Sequence, residues 1–157
     1  MNRGHGRITF RITQLLTGHG CFGTYLRRIG KAESAVCPYC WEEGEEEEID
    51  TAEHTIAVCR AWSAERAELT AAIGEDLSLG GVVRQIVETK ERWAAFSLFA
   101  ERVMRSKEEA ERRRQEQERE VQMAARGEER EADGRGAGGA LEIREADSDD
   151  HPDRSGD

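Results

Sequence analysis

The sequence predicts a mainly α protein: a small helical domain built around one structural knuckle, followed by a long charged helix and a disordered tail. Three observations lead there. Apolar residues recur at helical spacing up to Met104 and thin out beyond it. Four metal-ligating side chains fall in the pattern Cys37-x2-Cys40-x13-His54-x4-Cys59. Past Gly127 the composition turns to Gly, Asp, Glu and Arg, which supports no packed core. The 157 residues divide accordingly. Residues 1–105 form the helical module, with the knuckle at 37–59; 106–127 form a charged, solvent-exposed helix; and 128–157 form a disordered, acidic, Gly-rich tail.

The Cys/His pattern reads as a zinc site. Zinc takes four N or S ligands at tetrahedral corners, about 2.0–2.3 Å away. A C-x2-C turn stiffened by Pro38 aims Cys37 and Cys40 at one point, and His54 and Cys59 close the cage from a short helix. The thirteen-residue spacer is close to that of finger-type sites. Ordinary buried cysteines are the plain alternative, and the spacing argues against them. A disulfide framework fits less well. The chain opens with no apolar run that reads as a secretory signal, and four cysteines in 157 residues are not disulfide-dense. With four ligands the site is closed, and no nucleophile–base motif accompanies it, so no catalytic site is expected. A domain this small benefits from such a staple.

The net charge of −10 is spread unevenly. Residues 1–36 carry six basic side chains against the single acid Glu33, and residues 37–59 carry eight acids and no Lys or Arg. The first segment is therefore the candidate face for a polyanion. The knuckle loop, with its run Glu45–Glu48, is a solvated surface expected to stay off phosphate.

Residues 3–18 admit two readings. Ile8, Phe10 and Ile12 alternate as in a strand, whereas Ile8, Ile12, Leu15 and Leu16 recur at helical spacing. The helix is preferred, because it puts Arg3, Arg7 and Arg11 opposite those aliphatics, and Gly18 would end it. That basic stripe either meets a phosphate backbone or is the solvated face of a core helix. A turn at Thr17–Gly20 leads to a second helix over about 22–29, with Phe22, Tyr25, Leu26 and Ile29 on one side. Arg27, Arg28 and Lys31 add positive charge there, and Gly30 is a C-cap. His19 reads as a turn or surface residue and Cys21 as an apolar packer. Asp50 or Thr51 caps the helix that carries His54.

A third helix spans 60–73, with Gly74 past its end. Gly80-Gly81 starts a fourth, with an apolar stripe running from Val82 to Met104. The register Ile86, Thr89, Trp93, Phe96, Ala100, Val103 fits two heptads and fails at Lys107. It is either a dimer seam or, preferably, a face packed on the zinc module. Beyond Ser106 the pairs Glu108/Arg112 and Glu109/Arg113 support a helix with no apolar face to bury. No stretch approaches the ~20 apolar residues that span a bilayer.

With these blocks in place the chain resembles a known family. Thr13–Phe22, Tyr25-Leu26, Cys37-x2-Cys40, Asp50–Thr55 and Cys59-x2-Trp62 look like the extreme C-terminal region of non-LTR retrotransposon polyproteins, the R1-like clade of insect elements above all. The stretch from Trp93 to Arg114 is similar to that region's closing helix, so the resemblance covers about residues 7–114. It implies zinc ligands at Cys37, Cys40, His54 and Cys59, and a nucleic-acid-binding role on element RNA or target DNA beside the parent polymerase. It also implies an intracellular, nuclear setting. The polymerase's Tyr/Phe-x-Asp-Asp motif is absent from this sequence; Asp149-Asp150 stands in the tail. The resemblance thus implies a fragment without polymerase or endonuclease. Its expected partners are RNA, DNA or the parent polymerase, contacted through Arg3, Arg7, Arg11, Arg27, Arg28 and Lys31. No membrane and no small-molecule substrate is expected. A zinc-stabilised protein-interaction module, docking on a polymerase or dimerising through its long helix, is the second reading.

Overall fold

The computed structural model describes residues 6–40 and 46–136, with side chains to Arg130. Six α-helices and no strand occur among the described residues, so the chain is mainly α as its patterning requires.

Helix α1 (Phe10–Thr17) is shorter than the predicted 3–18. The Thr9 hydroxyl takes the Ile12 N–H at 3.3 Å and fixes the start, while Gly6 sits in the left-handed region at φ 102°. Ile8 and Phe10 are consequently left exposed, at 65% and 73%. Arg3 lies outside the described residues. Helix α2 (Gly23–Arg28) ends in a Schellman motif. Gly30, at φ 72°, donates to the Arg27 carbonyl, and Lys31 donates to the Leu26 carbonyl at 2.8 Å. Gly23 begins that helix because only hydrogen fits there: a Cβ would lie 2.9 Å from the Ala35 carbonyl oxygen.

That backbone at Ala35 belongs to a short antiparallel pairing that closes the knuckle. Val36 bridges Ile49; Cys37 N–H donates to Glu48 O at 2.7 Å, and Asp50 N–H donates to Ala35 O at 2.8 Å. Helix α3 (Ala52–Ala57) follows, capped by Thr51, whose hydroxyl takes the His54 N–H at 3.0 Å. Of the two capping candidates Thr51 does the capping, and Asp50 is free for another role. A 3-10 turn (Arg60–Trp62) leads into α4 (Ser63–Ile73), which stops at Gly74.

The predicted single helix from Val82 to Met104 is two helices. Helix α5 (Leu79–Ile86) is capped by Ser78, and α6 (Lys90–Gly136) starts anew after three intervening residues. The hydroxyl of Thr89 takes the Arg92 N–H at 3.2 Å, so a residue placed in the heptad register is a cap. Most of the apolar stripe is buried inside its own domain, though Val83, Val87 and Leu98 are exposed. Phe96, Phe99, Ala100, Val103 and Met104 are each at most 2% exposed and join Ile12, Leu15, Phe22, Ile56 and Val82 in one core. Each large side chain so buried is worth about 1.5–3 kcal/mol.

The first compact unit runs to Gln115, past the boundary expected at 105. In the second unit, from Glu116, the described side chains of α6 are exposed, Val121 and Met123 among them. Helix α6 continues to Gly136, whereas disorder was expected from 128. Glu, Arg and Ala are good helix formers, and one Gly at 127 costs only about 1 kcal/mol. Residues 137–157, the remainder of the expected tail, lie outside the described residues.

Candidate metal centre and basic edge

The pairing of residues 35–37 with 48–50 brings Cys37 and Cys40 toward α3, and the cap at Thr51 sets the turn of helix that presents His54 inward. The result is one cluster: single donor atoms of Cys37, Cys40, His54 and Cys59 lie within 4.8 Å of one another, and all four residues are buried. The Cys37 and Cys59 sulfurs are 3.9 Å apart, the Cys40 and Cys59 sulfurs 3.6 Å, and Cys40 Sγ is 3.4 Å from His54 Nε2. Around an ion at tetrahedral centre, sulfurs on ~2.3 Å bonds stand about 3.8 Å apart, and sulfur and nitrogen about 3.6 Å. The donor set therefore fits a single four-coordinate metal ion. Cys21, half-buried, is not part of the cluster, and burial pushes its thiol up to about 11.

The thiols are electrostatically unequal. The hydrogen bond from Cys59, helped by the Tyr39 N–H, holds the Cys37 thiol well below its ordinary value against its burial. Cys59 is pushed up by that same bond and by burial. Thiols this close push their titrations apart, one down and the other up, and a cation between them relieves the repulsion that would keep both from ionising.

Arg66 and Glu48 flank the cluster. The guanidinium of Arg66 on α4 donates to the carbonyls of Ile56 (2.7 Å), Thr55 (3.4 Å) and Cys59. It closes the C-terminal end of α3 and sets a positive charge beside the thiols. Burial lowers its pKa, and the Cys59 and Cys40 sulfurs oppose that. The carboxylate of Glu48 lies 3.5 Å from His54 Nδ1, a buried atom with no hydrogen-bond partner among the described residues. A carboxylate there favours the tautomer that leaves Nε2 free for a metal. Glu48 was read only as part of a solvated run. Its neighbours Glu42, Glu43 and Glu45 lie outside the described residues.

Asp50 links the knuckle to the rest of the domain. One carboxylate oxygen accepts the Gly23 N–H at 2.9 Å, and the other accepts from Lys107 Nζ at 2.7 Å and the Thr55 hydroxyl at 3.5 Å. Lys107 was expected on a solvent-exposed helix. Instead it is 3% exposed, with its ammonium about 5 Å from the rings of Phe22 and Tyr39. A buried partner more than fifty positions upstream in sequence holds it there.

The predicted basic residues part company. Arg11 faces α6, not solvent: it bonds Glu101 at 2.7 Å and Glu108 at 2.9 Å. Arg7 is exposed, outside any helix. Arg27, Arg28 and Lys31 are exposed at the end of α2. Neither Arg27 nor Arg28 has a carboxylate partner among the described residues; Arg28 instead lies over the Tyr25 ring, 5.1 Å from its centroid. The Lys31 charge helps to lower the pKa of Glu111, after the stronger pull of Arg114 and Gln115, though burial of Glu111 opposes them. No family model matches the chain, and neither does any curated protein or any solved structure.

Proposed function

We propose that this chain is a zinc-stabilised nucleic-acid-binding module and, on the resemblance of its sequence blocks, a C-terminal fragment of an R1-like retrotransposon polyprotein. Three sulfurs and one imidazole nitrogen at tetrahedral edges suit zinc among the common metals. Zinc supplies a rigid crosslink there, with Cys37, Cys40, His54 and Cys59 as its holders. The observation that carries the binding half is the exposed pair Arg27 and Arg28, with Lys31 a turn away, on the edge that the cage and Asp50 hold in place.

Zinc content and salt dependence test this together. One zinc per chain, with three thiols released by chelator, supports the cage. Binding of short RNA or DNA that falls with salt at a log–log slope of about −2 fits three phosphate contacts on a single strand. A flat slope, or unchanged binding after Arg27→Glu with Arg28→Glu, overturns the binding half.

One observation favours the protein-interaction reading. Ile8 and Phe10, two positions apart in sequence, are large apolar side chains left exposed. A protein partner contacting them would lose affinity on Phe10→Ser, with RNA binding untouched. Dimerisation through the stripe of α6 has less support, since that stripe is spent on the domain's own core.

A further inference from the structure

We propose that His19, Tyr25 and Arg28 form a stacking platform for an unpaired base, so that the module takes single-stranded nucleic acid in preference to duplex. The inference deepens the nucleic-acid reading above and rests on it. Gly18 and Gly20, both in the left-handed region at φ 68° and 91°, fold the turn that swings His19 back over α2. There its ring meets the Tyr25 ring edge-on, with centroids 4.9 Å apart and planes at 65°. Arg28, three residues along the helix, holds its guanidinium over Tyr25, 5.1 Å from the ring centroid. Tyr25 is half-buried and packs on the core, so the base of the platform is fixed, while His19 and Arg28 are exposed.

A guanidinium held over a ring has one side occupied and the other open. The open side of a planar cation is a surface on which nucleobases stack, and aromatic neighbours add to it. Arg27 and Lys31 flank this platform with charge for the adjoining phosphates, and the Arg28 charge, which Arg28→Lys keeps, counts with theirs. In a duplex each base is already stacked between neighbours, so only an unpaired base gains from such a platform.

The test uses the metal-loaded full chain and fluorescence anisotropy with two probes: an oligouridylate of about twelve nucleotides and an RNA duplex of the same length. Arg28→Lys keeps the charge and loses the plane. It should weaken oligouridylate binding about tenfold, with the salt slope and duplex binding unchanged. His19→Ala, at an exposed turn, should weaken oligouridylate several-fold by the same route. Equal losses on both probes, or none on oligouridylate, overturn the platform and leave the phosphate reading standing. Failure of the unmutated protein to bind either probe overturns both.

Discussion

Lys107 and Asp50 form a buried ion pair, 2.7 Å from ammonium to carboxylate, with side chains 2% and 4% exposed. It joins the residue just before the α3 cap to the middle of the longest helix. The carboxylate also receives the Gly23 N–H, so helix α2, the knuckle and α6 meet at one group. Breaking one side of such a pair strands a charge in the interior, which costs about 3–5 kcal/mol. Lys107→Met should therefore lower the unfolding free energy by about that much in denaturant titrations. Lys107→Met with Asp50→Asn should cost less than the two single changes added together. Additive losses would mean that the two groups are not coupled.

Removing the metal should open the core as well as the cage. Three of the four ligands are themselves core residues, each at most 4% exposed. Zinc contributes an apparent ~10–16 kcal/mol in small modules, more than a domain of this size holds in reserve. Chelator, or Cys40→Ser, should abolish most helical signal from residues 7–75 and leave α6 standing in part. A circular dichroism spectrum unchanged by chelator would reject a structural ion.

Acid should weaken the seam between α1 and α6. The hydrogen bond from Arg11 holds the Glu101 carboxyl below its ordinary 4.5, and Arg11 is raised in turn, by Glu108 first and then Glu101. A carboxyl lowered in the folded state adds stability at pH values above its unfolded pKa. It loses that contribution as pH falls through the folded one. The loss therefore starts below about pH 4.5. The pair is partly exposed, so the effect is modest. Glu101→Gln should flatten the acid limb of a stability-versus-pH curve: its modest loss of stability at neutral pH should shrink toward zero as the pH falls. Parallel curves for the two proteins would contradict it.

What the sequence revealed was the part written locally. Cys37-x2-Cys40 with His54 and Cys59 is a pattern of neighbours, and the structure gathers those four. Gly18, Gly30 and Gly74 mark helix ends, and each stands at one. The break before α6 was hidden because apolar spacing runs through it undisturbed; only Thr89, a good cap, carried the signal. Arg11 and Lys107 could not be read, because a charged side chain looks the same in sequence whether it faces water or a carboxylate ninety or fifty-seven positions away. Arg66 is a similar case. Its partners are backbone carbonyls, which leave no trace in residue type.

The distance in sequence between Asp50 and Lys107 also sets an order of assembly. On the ribosome the knuckle, all within residues 37–59, is synthesised before Lys107 is made. Short-range contacts close fast, and those with distant partners must wait. A metal ion that the four donors can hold could thus enter on a nascent chain, while the Asp50 carboxylate is still open to water. The docking of α6 then becomes the late, committing step that takes Asp50 into the interior. Changes at Lys107 should accordingly act after metal capture, sparing the early knuckle while leaving the finished domain unlocked.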